Sequence, residues 1–113
     1  MSEGWKFIKE VHSFKELPLD QIPEFIFWGR SNVGKSSLIN SLTQKKIAKT
    51  SRTPGRTKSL VFFQYKKTLR IVDFPGYGFS KISANQILKL DLLLDQYFQK
   101  RENLKKIFLL IGG

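Results

Sequence analysis

An α/β fold is what this sequence predicts, on three observations. A continuous apolar run, Phe25 to Trp28, leads straight into a glycine loop. The loop opens a helical segment, Lys35 to about Lys45. Further strand-like runs then alternate with a second helical stripe, the order from which layered α/β domains are built.

The element reading follows the chain. Residues 1–24 hold a mixed apolar pattern, Trp5, Phe7, Ile8, Val11 and Phe14, to which neither strand nor helix periodicity can be assigned. They read as an N-terminal extension to a domain over 25–113, joined by a connector between Pro18 and Pro23. Phe25 to Trp28 has the unbroken apolar character of a strand covered on both faces. Residues 46–58 form a polar loop containing Pro54 and Gly55. Ser59 to Tyr65 and Thr68 to Phe74 are rich in β-branched and aromatic residues, and Lys66 and Lys67 turn one into an antiparallel other. Ala84 to about Leu104 carries a helical stripe of Ile87, Leu90, Leu94, Tyr97 and Phe98. Leu88, Leu92 and Leu93 widen it into what reads as a heavily packed core helix. Lys106 to Ile111 is a last buried strand. The resulting sheet would have four strands and two helices.

The glycine loop carries the chemistry. Gly29, Arg30, Ser31, Asn32, Val33, Gly34, Lys35 and Ser36 fit the phosphate-loop template G-x-x-x-x-G-K-[ST] without a gap. Gly29 and Gly34 permit the tight turn and close approach. Inward N–H groups and the helix N-terminus favour phosphate oxygens. Lys35 is placed to reach the β- and γ-phosphates, and the Ser36 hydroxyl to ligate Mg²⁺. A chance glycine turn would not carry the strand before it and the helix after it.

Bulk composition narrows the setting. The chain has 113 residues, no cysteine and a net charge of +11. It is long enough for one domain that buries roughly 65% of its unfolded surface. No signal-length or membrane-length apolar stretch is present, so a cytoplasmic protein without membrane attachment is expected. Between Phe25 and Val72 there are eleven basic and no acidic residues, while the remainder holds nine of each. Two or three cations suffice for a nucleotide. The rest point to a polyanion such as RNA, or to a solubilising basic surface. His12, the one histidine, reads as a surface residue.

Two further segments separate a switch from a plain phosphate binder. Thr57, in the loop Thr53-Pro54-Gly55-Arg56-Thr57, could complete a Mg²⁺ shell when a γ-phosphate is present. Asp73-Phe74-Pro75-Gly76, at a strand end, offers a carboxylate to Mg²⁺ through water and the Gly76 N–H to the γ-phosphate. Loops ordered by a γ-phosphate and released on hydrolysis constitute a switch.

With these motifs in register, the chain resembles the EngB (YihA) family of Era-like bacterial GTPases. GRSNVGKSSLIN, TSRTPGRT, VDFPGYGF and KRENLKKIFLLI carry the likeness, from about residue 7 to 111. The resemblance implies a P-loop NTPase fold of the Ras-like G-domain type, with GTP or GDP and Mg²⁺ as ligands. It also implies a role in large ribosomal subunit assembly through rRNA, and a link to cell division and septation. DNA is not an expected partner, and a monomer is. By motif, the nucleotide residues are Gly29 to Ser36, the first switch Gly55, Arg56, Thr57, Lys58 and Ser59, and the second Asp73, Phe74, Pro75 and Gly76. Mg²⁺ falls to Ser36 and Thr57, and catalysis to Lys35 and Thr57. Asn32 stands where related GTPases bind an activating K⁺, and Arg52 or Arg56 could act as an arginine finger in cis.

Two departures from the family pattern matter, the first being Trp28, which replaces a small residue before the loop. Within the family's own motif, Tyr77 follows the DxPG glycine where Ras-like enzymes place a water-orienting glutamine, so slow intrinsic hydrolysis is expected. The guanine-reading T-K-x-D and the later S-A segment do not occur before Gly113, which reads as a truncated, incomplete G domain. On that reading the final strand is an exposed hydrophobic edge and the isolated chain is unstable. The rival functions are an ATP-dependent P-loop kinase, which the double switch pattern disfavours, and a fragment that binds RNA without guanine specificity.

Overall fold

The computed structural model describes residues 2–29, 34–48, 59–75 and 83–111. Its elements are β1 (Trp5–Val11), β2 (Glu24–Gly29), α1 (Lys35–Thr43), β3 (Leu60–Tyr65), β4 (Leu69–Asp73), α2 (Ala84–Lys100) and β5 (Leu104–Leu110). They build one five-stranded sheet in the order β1-β3-β4-β2-β5. Strand β2 lies between β4 and β5, parallel to both. β3 and β4 form the expected antiparallel hairpin, and β1 adds antiparallel to β3.

The sheet is amphipathic on neither face, because each face has its own helix. Alternate residues sort the strands into two cores, as the pleat requires. Ile26, Leu60, Phe62 and Val72 pack with Leu93 and Tyr97 of α2. Phe27, Val61, Phe63 and Ile71 pack with Ile39 of α1 and with Trp5 of β1. Burial on both sides explains why Phe25 to Trp28 lacks a polar alternation. Trp28 fills rather than crowds: its ring lies 5.5 Å from that of Phe74 and 5.7 Å from that of Phe98.

The expected four strands become five. β1 was missed because its interior, Lys6 to Glu10, is only partly covered, while Trp5 and Val11 at its ends are buried. Trp5 packs into one core and Val11 into the other, and a register shift between Phe7 and Lys9 breaks the period-2 signal between them. Helix α1 ends at Thr43 because Gln44 turns to a left-handed φ of 58°, and α2 ends at Lys100 because Arg101 is extended. Helix α2 opens on a capping box, with Ser83 Oγ accepting from the Gln86 N–H at 3.2 Å. Its packing is narrower than expected. Leu93 and Tyr97 are buried, but Ile87, Leu88 and Leu92 are exposed.

β5 is the outer strand opposite β1, and Ile107, Phe108 and Leu109 on it are 41–55% exposed. The expected apolar edge is therefore present. No described helix is long and apolar enough to cross a membrane.

Candidate functional site

Parallel strands β2 and β4 end side by side, at Gly29 and Asp73. The carboxyl ends of such strands, where the connections diverge, are where open α/β sheets bind ligands. Here β2 continues toward β3 on one side of the sheet, while β4 crosses back to β5 on the other.

The helix entry is built for an anion. Gly34 precedes α1 at a φ of 91°, a left-handed conformation open to glycine and costly for other residues. Gly34 at the N-cap offers no side-chain bond, and the first turn has no acidic residue. The positive end of the helix dipole favours an anion there. Leu38 N–H closes the first helical bond on Gly34 O at 2.9 Å. Ser36 is exposed in that turn.

Lys35 points from the helix start across to the end of β4. Its ammonium donates to the Asp73 carboxylate and, at 2.5 Å, to Phe74 O. Both side chains are buried, at 9% and 2% exposure. Phe74 is held in turn by its N–H on Phe27 O at 3.0 Å, which ties the end of β4 to β2. Lysine and aspartate from motifs 38 residues apart are therefore in direct contact. A phosphate reaching Lys35 must compete with that carboxylate. Asp73, expected to serve Mg²⁺ through water, has Lys35 as a direct partner.

Of the sequence-predicted residues, the structure brings together Gly29, Gly34, Lys35, Asp73, Phe74 and Pro75 at this end of the sheet. Ser59 is buried before β3, and its hydroxyl donates to Glu10 Oε1 at 2.7 Å. Arg30, Ser31, Asn32, Val33, Arg52, Gly55, Arg56, Thr57, Lys58, Gly76 and Tyr77 lie outside the described residues. For Mg²⁺, Ser36 and Asp73 offer the hard oxygens the ion takes. Among the described residues no three His, Cys, Asp or Glu side chains gather.

Sequence reasoning missed a second polar cluster, at the opposite end of the sheet. Glu24 is fully buried and accepts from Arg70 Nη1 (2.9 Å), Arg101 Nε (2.9 Å), Arg101 Nη2 (2.5 Å) and the Tyr97 hydroxyl (2.7 Å). Asp20 accepts from Arg70 and from Asn103 Nδ2 at 3.1 Å. Arg70 holds the Asp20 carboxyl below the usual carboxylate range. Burial, then the Glu24 charge, push the Tyr97 hydroxyl well up, so it stays a donor. The available signal was a glutamate opening an apolar strand, with arginines at the start of β4 and after α2.

A strand, a glycine loop and a helix presenting lysine to a D-x-P-G aspartate define a phosphate-loop nucleotide-binding protein. The chain belongs to the 50S ribosome-binding GTPase family, whose pattern it matches over residues 24–111, and its relatives there are EngB proteins. The probable GTP-binding protein EngB of Mycoplasma genitalium is 51% identical over 107 residues, covering 95% of this chain and 56% of that protein. The Aquifex aeolicus EngB is 46% identical, covering 88% and 55%. A crystal structure of a probable GTP-binding protein EngB superposes with a TM-score of 0.58 at 34% identity, covering 76% of this chain and 47% of that one. The chain spans about half the length of the curated relatives it matches.

Proposed function

We propose that this chain binds GTP and GDP with Mg²⁺ and acts as a slow GTPase switch in large ribosomal subunit assembly, with rRNA as its partner in the cytoplasm and a downstream role in cell division. The observation that carries the reading is the left-handed Gly34 delivering a buried Lys35 onto Asp73 at the carboxyl ends of β2 and β4. In this reading Lys35 exchanges the Asp73 carboxylate for β- and γ-phosphate oxygens and offsets their charge during in-line attack by water. Asp73 is thereby released toward the metal side of the phosphates. Ser36 and Thr57 would hold Mg²⁺, which supplies charge neutralisation when bound. Gly29 to Gly34 wrap the phosphates, and Gly76 follows the γ-phosphate. Tyr77 has no amide with which to orient water, so turnover depends on a partner.

The deciding experiment is titration of this 113-residue chain with fluorescent GTP and ATP, with and without Mg²⁺. Binding through the triphosphate, strengthened by Mg²⁺ and little dependent on the base, is expected, because the guanine-reading T-K-x-D does not occur in these residues. Binding of neither nucleotide overturns the assignment. Release of inorganic phosphate, raised by added large ribosomal subunits, is the expected result for the switch. A rate indifferent to them removes the ribosomal part.

A further inference from the structure

Among the described residues, the basic side chains of the acid-free window do not all do the same work. Lys35 and Arg70 are spent in buried ion pairs, and Lys45 donates to Trp5 O at 2.7 Å. Lys66 and Lys67, at the tip of the β3–β4 hairpin, are exposed. Together with Lys6 of β1 they border a depression of ≈ 280 Å³ lined also by Ile8 and Gln64. Lys6 is the cross-strand partner of Gln64, so the β1 lysine and the hairpin tip meet on one side of the sheet edge. Among the described residues, none of the three makes a salt bridge.

The tip is held in place rather than left loose. Lys66 sits at a φ of 51°, a conformation that lysine adopts at a cost and that asparagine or glycine would take more easily. Its N–H donates to Gly4 O at 3.1 Å, and its carbonyl accepts from Gln64 Nε2 at 2.6 Å. Its ammonium lies 5.4 Å from the Tyr65 ring centroid. The register puts this tip at the far end of the sheet from the phosphate loop. Val61 pairs with Asp73, and Tyr65 with Leu69, four residues away. That is about 13 Å along the strand. These charges cannot serve a nucleotide bound at Lys35.

We propose that Lys6, Lys66 and Lys67 grip the phosphate backbone of RNA, at a site separate from the nucleotide. The inference rests on the ribosomal reading above for its choice of polyanion. Three lysines border one concavity, and lysine charges of this kind neutralise phosphates.

The test is binding of a fluorescent 20-nucleotide single-stranded RNA, without nucleotide, across roughly 50–200 mM salt. The triple variant K6Q/K66N/K67Q removes three charges, and asparagine suits the left-handed position. Its salt slope should fall by about 2, at about 0.7 per phosphate contact, with an affinity loss of about tenfold at the low-salt end. GTP titration of the same variant should be unchanged, which also reports that it is folded. A second variant, K67Q alone, should lose about 0.7 of slope. An unchanged slope in both variants, no RNA binding by the parent chain, or a loss confined to anionic lipid vesicles would each overturn the proposal. Failure of GTP to bind while the RNA slopes shift as expected would leave this surface standing and remove only the nucleotide reading.

Discussion

The two ends of the sheet bury charge in opposite ways. At the bases of β2 and β4, the Glu24 carboxylate takes four donors from three side chains, and Asp20 adds a second acid to the two arginines. Donors and acceptors there are matched within the chain. At the other end, Lys35 and Asp73 meet beside a helix start led by Gly34, which has no side chain to cap it. Buried charge that is fully hydrogen-bonded holds a structure together, and removing one partner leaves the rest uncompensated. Buried charge beside the positive end of a helix can be recruited by an anionic ligand. The same residue types thus act as a clamp at one end and as an exchangeable contact at the other.

The sharpest way to break this contrast is Glu24→Ala. It strands Arg70 and Arg101 and should cost about 3–5 kcal/mol in urea unfolding. A cost below 1 kcal/mol would mean that the base of the sheet is no clamp. Tyr97→Phe removes one bond to the buried carboxylate while keeping the ring packed against Phe74 (centroids 5.4 Å apart). A loss of about 1.5–3 kcal/mol is expected by the same measurement. At the opposite end, Asp73→Asn should affect binding more than folding. With the competing charge gone, fluorescent GTP measured in EDTA should bind about fivefold more tightly, or about 1 kcal/mol. Weaker binding in EDTA would show that Asp73 orients Lys35 rather than competes for it.

The smallest effect is on acid stability. Arg70 lowers the Asp20 pKa in the folded state, so this contribution is complete above the unfolded value near 3.9. It is lost as pH falls through the lower folded value. Asp20→Asn should lower stability at neutral pH, where the contribution is complete, and cost little below the folded pKa, so that the acid limb below about pH 4 becomes flatter. Thermal midpoints across that range check it.

What the sequence made legible depended on whether the determining contacts were local. Gly29 to Ser36 sits between a strand and a helix, and that order survives in the fold, as does the β3–β4 hairpin at Lys66 and Lys67. Strand β1 did not show, because its pairing with β3 joins residues 49 to 60 positions apart and its interior is partly solvated. The Glu24 cluster gathers Asp20, Arg70, Tyr97, Arg101 and Asn103, whose spacing along the chain carries no periodic signature. Helical periodicity overstated the core of α2, since a leucine stripe reports amphipathicity and not what covers it. Leu88 and Leu92 match the stripe and face outward. At the site, the motif named Lys35 and Asp73 separately, and only the sheet showed them as partners.

Strand β2 has a consequence for the order in which the molecule is made. It is the central parallel strand, yet one edge waits for β4 and the other for β5, which ends at Leu110. During synthesis at 5–20 residues per second, the second edge of β2 stays unpaired for roughly 4–16 s after Gly29 has been added. Throughout that interval the nascent chain carries an open apolar strand, while the β3–β4 hairpin can already close. Pairing so distant in sequence also slows refolding of the finished chain. Time, more than stability, is what this arrangement of strands demands of the cell.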